Sequence, residues 1–218
     1  MKRLYRLVKR VMDFCLSLCF LIISSPGLLL LGFLIWAADG WPVIFSAKRL
    51  GKDKNTFTVY KFRTLVNGVK RRKDGLSPKI VINRVAEYMR DTHLDETLQL
   101  VNVIKGNITL IGPRPLDVPR YHHLHSEDPK WDYIFKAKPG MTCINQIARY
   151  SNWGMDRVRK LNGLKNLKRR NRLKLDRYYI KNESPLLDLK VILWTIEYLF
   201  VGLFTKIFKK EEVSKSKK

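Results

Sequence analysis

The chain has 218 residues, of which 45% are hydrophobic and 28% are charged, so it is neither a disordered polymer nor a polytopic membrane bundle. Lys and Arg number 43 against 19 Asp and Glu, and the net charge of +24 predicts an anionic partner, whether nucleic acid, phospholipid headgroups or a phosphorylated substrate. Three cysteines exclude a disulfide-stapled secreted scaffold and favour a reducing compartment.

The first distinctive segment is an uncharged, apolar run at residues 14–38. As a straight helix it would be about 37 Å long, enough to span a bilayer. Ser24, Ser25 and Pro26 interrupt it near its middle, and we expect a break there, with a serine hydroxyl satisfying the carbonyl that Pro26 frees. Basic residues flank the run at Lys2, Arg3, Arg6, Lys9 and Arg10 and again at Lys48, Arg49, Lys52 and Lys54.

Positive residues favour the cytoplasmic side of a membrane, and here they lie at both ends of the apolar run. A re-entrant helix-break-helix that enters and leaves on one side satisfies both clusters. The alternatives are a Pro-kinked span, a buried pair of core helices, and a cleaved signal peptide ending at Ala37-Ala38. The signal peptide is disfavoured because its apolar region would be about twice the usual 7–15 residues.

A β-hairpin is predicted after this anchor. Its strands are residues 41–45 and 57–62, and residues 51–55 form the turn between them. Residues 66–78 are polar and basic with several turn signals, which predicts a mobile loop.

Helical and short extended segments follow the loop. Residues 83–89 look helical, and Thr92-x-x-Asp95 has the form of a capping box that opens a helix with an apolar stripe. Residues 108–111 form a short apolar run that ends in Gly112-Pro113-Arg114-Pro115.

The C-terminal part divides into three stretches. Residues 157–181 are crowded with Lys and Arg. Residues 185–208 form a hydrophobic helix whose charges, including Asp188 and Lys190, favour a position in the headgroup plane over a transmembrane span. Residues 209–218 are expected to form a disordered basic tail.

The predicted fold is therefore α+β: a mainly helical cytosolic domain with a small antiparallel sheet, between an N-terminal re-entrant membrane helix and a C-terminal interfacial helix. The boundaries are residues 1–39 for the anchor, 40–184 for the catalytic domain, 185–208 for the amphipathic interfacial helix and 209–218 for the basic tail.

Two adjacent carboxylates, Asp95 and Glu96, are the leading candidates for chemistry. Neighbouring residues on a helix point about 100° apart, so one carboxylate can attack or accept a proton while the other binds a metal ion. Acidic residues in a first helical turn also complement the helix dipole without any catalytic role. The sequence of this pair alone does not decide between the two interpretations.

Several basic residues near these carboxylates are candidate phosphate ligands. Arg90 lies five residues before Asp95, and two prolines stiffen the backbone that carries Arg114. Lys61 and Arg63 alternate on a strand and point the same way, which suits phosphate binding or plain solvation. A surface turn remains an equal alternative for Arg114.

Taken in order, seven motifs resemble those of the monotopic bacterial sugar transferases, the polyprenyl-phosphate phosphoglycosyl transferases, from about residue 9 to residue 196. They are the Ser-Pro run, Gly40-Trp41-Pro42-Val43-Ile44-Phe45, Arg49-x-Gly51, Tyr60-Lys61-Phe62-Arg63-Thr64, Leu94-Asp95-Glu96-x-x-Gln99-Leu100-x-Asn102, Gly112-Pro113-Arg114-Pro115 and Lys138-Pro139-Gly140-x-Thr142.

The resemblance implies a two-step reaction that initiates glycoconjugate or polysaccharide synthesis. The family's Asp, here Asp95, attacks the sugar-proximal phosphate of a UDP-sugar and releases UMP, and polyprenyl (undecaprenyl) phosphate then displaces the aspartate. The family's Glu, here Glu96, helps to hold Mg²⁺. By the same analogy the phosphate or nucleotide ligands are Lys61, Arg63, Arg90, Arg114 and Arg149.

The resemblance also implies a location at the cytoplasmic face of the bacterial inner membrane, among phospholipids. A homodimer is left open, and nucleic acid is not expected as a partner. The chain departs from the family's usual Gln at Ala47, Pro at Leu98 and Gly at Cys143. Alternative functions are a catalytically degenerate, basic membrane-surface scaffold on the same fold, and a nucleic-acid binder based on residues 157–181.

Overall fold

A computed structural model of the chain describes residues 2–66, 82–150, 152–161, 164, 167 and 171–215. It is mostly helical, with a small antiparallel sheet and one long apolar N-terminal helix, as the sequence predicted. The predicted mobile loop lies almost wholly outside the described residues. Parts of the basic stretch, residues 162, 163, 165, 166 and 168–170, and residues 216–218 of the tail also lie outside them.

Helix α1, Lys2–Asp39, is helical throughout, so the predicted interruption of secondary structure at Pro26 does not occur. The reason lies in the serines: Ser25 Oγ donates to the carbonyl of Ile22 over 2.8 Å, the carbonyl that an amide at position 26 would have bonded. Ser24 Oγ bonds the Phe20 carbonyl over 2.6 Å. The predicted serine compensation is therefore confirmed, and it keeps the helix continuous across the proline.

A hairpin follows α1, as predicted. Strand β1, Ile44–Leu50, pairs antiparallel with β2, Thr56–Phe62, in a register that sets Phe45 opposite Lys61. The 3₁₀ helix Lys52–Lys54 makes the turn. The first strand begins three residues later than expected because Trp41-Pro42 forms the connection from α1, and a proline cannot donate to a sheet ladder.

Helix α2, Arg84–Asp91, begins where Asn83 accepts a hydrogen bond from the Ala86 amide. The capping box predicted at Thr92 is wrong, because Thr92 ends α2 and its hydroxyl donates back to the Tyr88 carbonyl. His93 then takes a left-handed conformation with φ 59°, and the 3₁₀ helix Leu94–Glu96 follows. Helix α3, Gln99–Ile104, starts only after that turn.

A second strand pair was missed in the sequence. Strand β3, Thr109–Ile111, pairs with β4, Gly140–Thr142, in parallel. Gly112 and Gly140 meet there so closely that a Cβ on Gly140 would lie 2.0 Å from the Gly112 nitrogen. Each glycine is required by the close approach of the two backbones.

The remaining helices wrap a core whose largest buried cluster includes Trp131, Ile147, Leu175 and Val191. Their bounds are Val118–Glu127 for α4, Pro129–Lys136 for a 3₁₀ helix, Ile144–Tyr150 for α5, Asn152–Arg159 for α6, Arg172–Asn182 for α7 and Pro185–Lys215 for α8. Helix α8 is longer than predicted and continues into the expected tail, where Lys and Glu, both good helix formers, replace apolar residues.

A buried polar network ties the first turns of α1 to α8. Lys9 Nζ donates to the Ile111 carbonyl over 3.0 Å, to the Tyr179 hydroxyl over 2.9 Å and to Asp188 Oδ2 over 2.5 Å. Tyr5 and Tyr179 donate their hydroxyls to the same carboxylate. Because its charges are paired and hydrogen-bonded, the network holds the start of α1 firmly on the domain.

Candidate active site

Glu96 is the centre of a charged cluster next to α1. One of its oxygens, Oε1, accepts from Lys61 Nζ over 2.5 Å and from Arg114 Nη2 over 2.6 Å. The side chain is 9% exposed. Burial alone would raise the pKa of Glu96, but Arg114 and Lys61 outweigh it and hold the pKa at about 2. Glu96 is therefore ionised throughout the physiological range.

Asp95 has the opposite electrostatic environment. Burial and the negative charge of Glu96 raise its pKa to about 6, while Lys61 and Arg90 pull it down. Among the residues described, no cation lies within ion-pair distance of the Asp95 carboxylate. The two adjacent carboxylates thus differ in electrostatic environment: Glu96 is paired with two cations, whereas Asp95 is less paired and has a pKa of about 6.

Local packing fixes both carboxylates. Leu94 and Leu98, on either side of them, pack in an apolar cluster with Leu28 and Leu31 of α1. Asn102 is fully buried and joins α3 to β2: its Nδ2 donates to the Thr58 carbonyl over 2.6 Å and its Oδ1 accepts from the Tyr60 amide. This bridge sets Lys61, the next residue of β2, beside Glu96.

The strand pair β3–β4 positions Arg114. The Gly112 amide donates to the Thr142 carbonyl and the Gly140 amide to the Pro113 carbonyl, so the Gly-Pro-Arg-Pro segment is held on both sides of the crossing. Arg172 Nη2 donates to the Arg114 carbonyl over 2.5 Å, and Arg114 Nη1 reaches Gln146 Oε1 over 3.1 Å. The guanidinium is therefore fixed against Glu96 before any ligand arrives.

The structure gathers some of the predicted ligands and separates others. Lys61, Glu96 and Arg114 meet directly, and Arg90 lies on the Asp95 side with its Nη1 3.4 Å from Thr64 Oγ1. Arg63 does not join them: its guanidinium is buried and bonds the Asp39 carboxylate and the carbonyls of Asp39 and Gly40. It caps the carboxyl end of α1, where a cation is favourable.

Other contributors were not assigned roles from the sequence. Gln146, Asn102 and Arg172 orient the cluster. Asn102 ends the motif that begins at Leu94, and this motif was the available signal for it. His93 Nε2 lies 3.2 Å from the Tyr198 hydroxyl of α8, a contact between distant segments that no local pattern indicates.

The family departures are accommodated locally. Cys143 is 2% exposed and precedes α5 without a positive φ, so the glycine usual there is not needed for backbone freedom. Leu98 has φ −62°, the value a proline would impose, and its side chain contributes to the cluster with α1. Ala47 lies within β1 opposite Val59.

The two carboxylates are the candidate metal ligands of this site. Among the described residues, no group of three or more His, Cys, Asp or Glu side chains is arranged to hold a metal ion. Mg²⁺ commonly uses one or two carboxylates together with waters and substrate phosphates. Glu96 is ionised, and it accepts the hydrogen bonds of Lys61 and Arg114 on one oxygen, Oε1. It therefore fits this donor set as a single carboxylate ligand and not as part of an all-protein metal site.

Comparison with known proteins identifies the family. The model of the bacterial sugar transferase family matches residues 4–202. The chain is 31% identical over 214 residues to the undecaprenyl-phosphate galactose phosphotransferase of Salmonella typhimurium, covering 89% of this chain and 40% of that protein. It is also 31% identical over 200 residues to the UDP-glucose:undecaprenyl-phosphate glucose-1-phosphate transferase of Klebsiella pneumoniae, with 91% and 40% covered.

A relative of similar length also matches. The exopolysaccharide production protein PSS of Rhizobium leguminosarum is 31% identical over 208 residues, which cover 87% of this chain and 93% of that protein. The chain thus spans about 40% of the length of the two larger transferases and nearly all of the shorter protein. With the family model matching most of its length, the chain belongs to the bacterial sugar transferase family.

Proposed function

We propose that this protein transfers a sugar-1-phosphate from a UDP-sugar to polyprenyl phosphate through an aspartyl intermediate. A carboxylate oxygen of Asp95 forms a bond to the sugar-proximal phosphorus, and the bond from that phosphorus to the UMP oxygen breaks. UMP leaves with the electron pair. An oxygen of polyprenyl phosphate then attacks the same phosphorus, and Asp95 departs as a carboxylate.

The observation that carries this proposal is the contrast between the two carboxylates. A nucleophile has to be ionised yet reactive, and Asp95, with a pKa of about 6, is both at neutral pH. Beside it, Lys61 and Arg114 hold positive charge where a diphosphate would otherwise be repelled by the acidic pair. Mg²⁺ held with Glu96 would supply further neutralisation of the diphosphate.

The membrane arrangement supports the same proposal. Both ends of α1 contact one domain: Lys9 and Arg10 bond to Ile111 and Val103, while Asp39 bonds to Arg63. One domain cannot lie on both sides of a bilayer, and these contacts therefore support our proposal that α1 enters and leaves the membrane at the same face. Its middle exposes apolar side chains, and the helix is long and apolar enough to cross a membrane.

Helix α8 supplies a second apolar surface. Leu186, Leu189, Leu193 and Ile196 are exposed at spacings of three and four residues, while Val191 and Trp194 are buried on the other side. This pattern fits a helix that lies in the headgroup plane. We therefore place Asp95 at the cytoplasmic membrane surface, where a water-soluble UDP-sugar and a lipid phosphate can meet.

Cysteine labelling tests this topology. In a variant with all native cysteines changed to serine, Arg3→Cys and Lys48→Cys are each expected to react with an impermeant maleimide in inverted vesicles and not in intact spheroplasts. Ser24→Cys serves as the membrane-protected control. Labelling of Arg3→Cys from the outside would show a kinked span and contradict re-entry.

The activity is tested with detergent-extracted protein, undecaprenyl phosphate and Mg²⁺, offered UDP-sugars one at a time. We expect UMP release with at least one sugar and formation of a lipid-linked sugar diphosphate. UMP release requires a competent donor site, so its absence across a broad panel would favour a scaffold role on the same fold and overturn the proposal.

A further inference from the structure

His93 lies at the start of the turn that carries both carboxylates. Its amide donates to the Arg90 carbonyl over 3.3 Å, and its carbonyl accepts from the Glu96 amide over 3.1 Å. We call residues 93–97 the carboxylate turn. Hydrogen bonds in a short 3₁₀ turn have poorer geometry than those in an α-helix, so contacts from outside the turn are needed to fix the direction of Asp95.

The backbone of His93 is in the left-handed region, with φ 59° and ψ 16°. Non-glycine residues rarely adopt this conformation, although histidine, asparagine and aspartate do so more often than most. The conformation costs free energy, and it persists where the surrounding structure holds the residue in place. The geometry of the carboxylate turn therefore depends on what the His93 side chain contacts.

The His93 side chain contacts helix α8. Its Nε2 and the Tyr198 hydroxyl are joined by a hydrogen bond of 3.2 Å, and the centroids of the two rings lie 6.0 Å apart. The two residues are 105 positions apart in the chain, and both are partly buried. A tertiary hydrogen bond therefore connects the start of the carboxylate turn to α8.

Two further polar contacts fix the position of α8 near Tyr198. Three residues before it, Thr195 Oγ1 lies 2.8 Å from Thr142 Oγ1 of β4. Directly before it, Glu197 Oε1 accepts from Arg157 Nη2 of α6 over 2.9 Å. The Tyr198 hydroxyl therefore meets His93 from a part of α8 that is already held on the domain.

The opposite face of α8 is apolar. Leu189, Leu193, Ile196 and Phe200 are exposed at spacings of three and four residues, and the proposed topology places this face toward lipid. At 3.6 residues per turn, Tyr198 lies about 170° around the helix from the centre of that face. One side of α8 thus faces the membrane surface while the other contacts the carboxylate turn.

From these contacts we propose that Tyr198 is a positioning residue for the aspartyl nucleophile and that it acts through His93. This role rests on the proposed function, because it requires Asp95 to attack phosphorus. The Tyr198 hydroxyl holds the His93 side chain, His93 holds the start of the carboxylate turn, and the turn directs the Asp95 carboxylate. The interfacial helix thereby sets the orientation of the nucleophile relative to the membrane surface.

The test is Tyr198→Phe, which removes the hydroxyl and keeps the ring. We expect the maximal rate of UMP release in single turnovers to fall at least about tenfold, because the Asp95 carboxylate is less well oriented. The concentration of UDP-sugar that gives half this rate is expected to change less than about twofold, since Lys61 and Arg114 are unaltered. The matched control, Tyr88→Phe, removes the hydroxyl of an exposed tyrosine on α2 and is expected to retain both values.

A double-mutant cycle with His93→Asn shows whether the two residues act through one contact. Asparagine also adopts the left-handed conformation but is shorter, so this variant keeps the backbone of the turn and removes its contact with α8. We expect His93→Asn to slow UMP release as much as Tyr198→Phe does, and the double variant to be slower than either by less than about twofold.

Three kinetic results would overturn the inference. Losses that multiply in the double variant would show that the two residues act independently. A normal maximal rate in Tyr198→Phe would show that its hydroxyl does not position the nucleophile. A raised half-saturating concentration of UDP-sugar with a normal maximal rate would assign Tyr198 to donor binding.

Hydrogen exchange separates this inference from the proposed function. The Glu96 amide is protected by its bond to the His93 carbonyl. Its exchange is expected to be at least about threefold faster in Tyr198→Phe than in the Tyr88→Phe control. If the unmodified protein releases no UMP with any UDP-sugar, the proposed function fails, and this exchange alone decides whether Tyr198 orders the carboxylate turn. Unchanged exchange would overturn the inference in either case.

Discussion

Replacing Asp95 by Asn is expected to abolish UMP release and the formation of lipid-linked sugar. The amide is nearly the same size as the carboxylate but is a far weaker nucleophile, so the loss is expected to be at least about 10³-fold in the rate of the first half-reaction. The measurement is a single-turnover assay with excess enzyme and labelled UDP-sugar, followed by detection of UMP and of sugar phosphate bound to the protein.

The matched control is Asp91→Asn, four residues earlier at the exposed end of α2. This variant is expected to keep its rate within a few-fold and to form the covalent adduct. Membrane association of Asp95→Asn is expected to be unchanged, because α1 and α8 are not altered. Substantial turnover by Asp95→Asn would show that another group attacks phosphorus, and it would remove the basis of the proposed mechanism.

Changing Glu96 to Gln is expected to alter both the rate and its pH dependence. Asp95 must be ionised to attack, so the first half-reaction of the unmodified protein is expected to rise with pH through a midpoint near 6. Burial is the larger cause of that raised pKa, and the charge of Glu96 is the second. Without this charge the pKa of Asp95 falls, so the acidic limb moves to lower pH.

The maximum rate of Glu96→Gln is expected to fall by about 10²–10³-fold, because Lys61 and Arg114 lose the carboxylate that holds them in place. The pH profile of UMP release in single turnovers measures both effects. Glu87→Gln on the exposed face of α2 is the control and is expected to retain the midpoint near 6. If the acidic limb of the pH profile stays fixed or moves to higher pH in Glu96→Gln, the assignment of that limb to ionisation of Asp95 is contradicted.

Much of the architecture could be predicted from local patterns. The uncharged run at residues 14–38 predicted the long apolar helix α1, and the turn signals at residues 51–55 predicted the hairpin. The helix predicted from Asn83 corresponds to α2. That Lys61, Glu96 and Arg114 belong to one site was implied only by the family resemblance. Their spacing carries no such information, because β2, the 3₁₀ turn and the segment after β3 meet only through tertiary packing.

Long-range pairing explains what was missed. Strands β3 and β4 are three residues each and lie about 30 residues apart, so neither has enough alternation to stand out. Thr92 matched a capping pattern, but the left-handed turn at His93 separates it from α3. Arg63 was grouped with Lys61 by strand alternation, whereas a tertiary partner, Asp39, decides where its guanidinium lies.

The contact between Lys9 and Asp188 has a consequence for biogenesis. The two residues are 179 positions apart, and Tyr179 lies 170 positions from Lys9. Synthesis proceeds from the amino terminus, so α1 reaches the bilayer before Tyr179 and Asp188, its hydrogen-bonding partners, have been translated. The initial orientation of α1 in the bilayer therefore depends on the basic residues that flank it. The contacts of Lys9 with Tyr179 and Asp188 form only after the carboxyl-terminal segment has been synthesised. A chain that ends before position 179 lacks two of the three groups to which the Lys9 ammonium donates, Tyr179 and Asp188, and keeps only the Ile111 carbonyl.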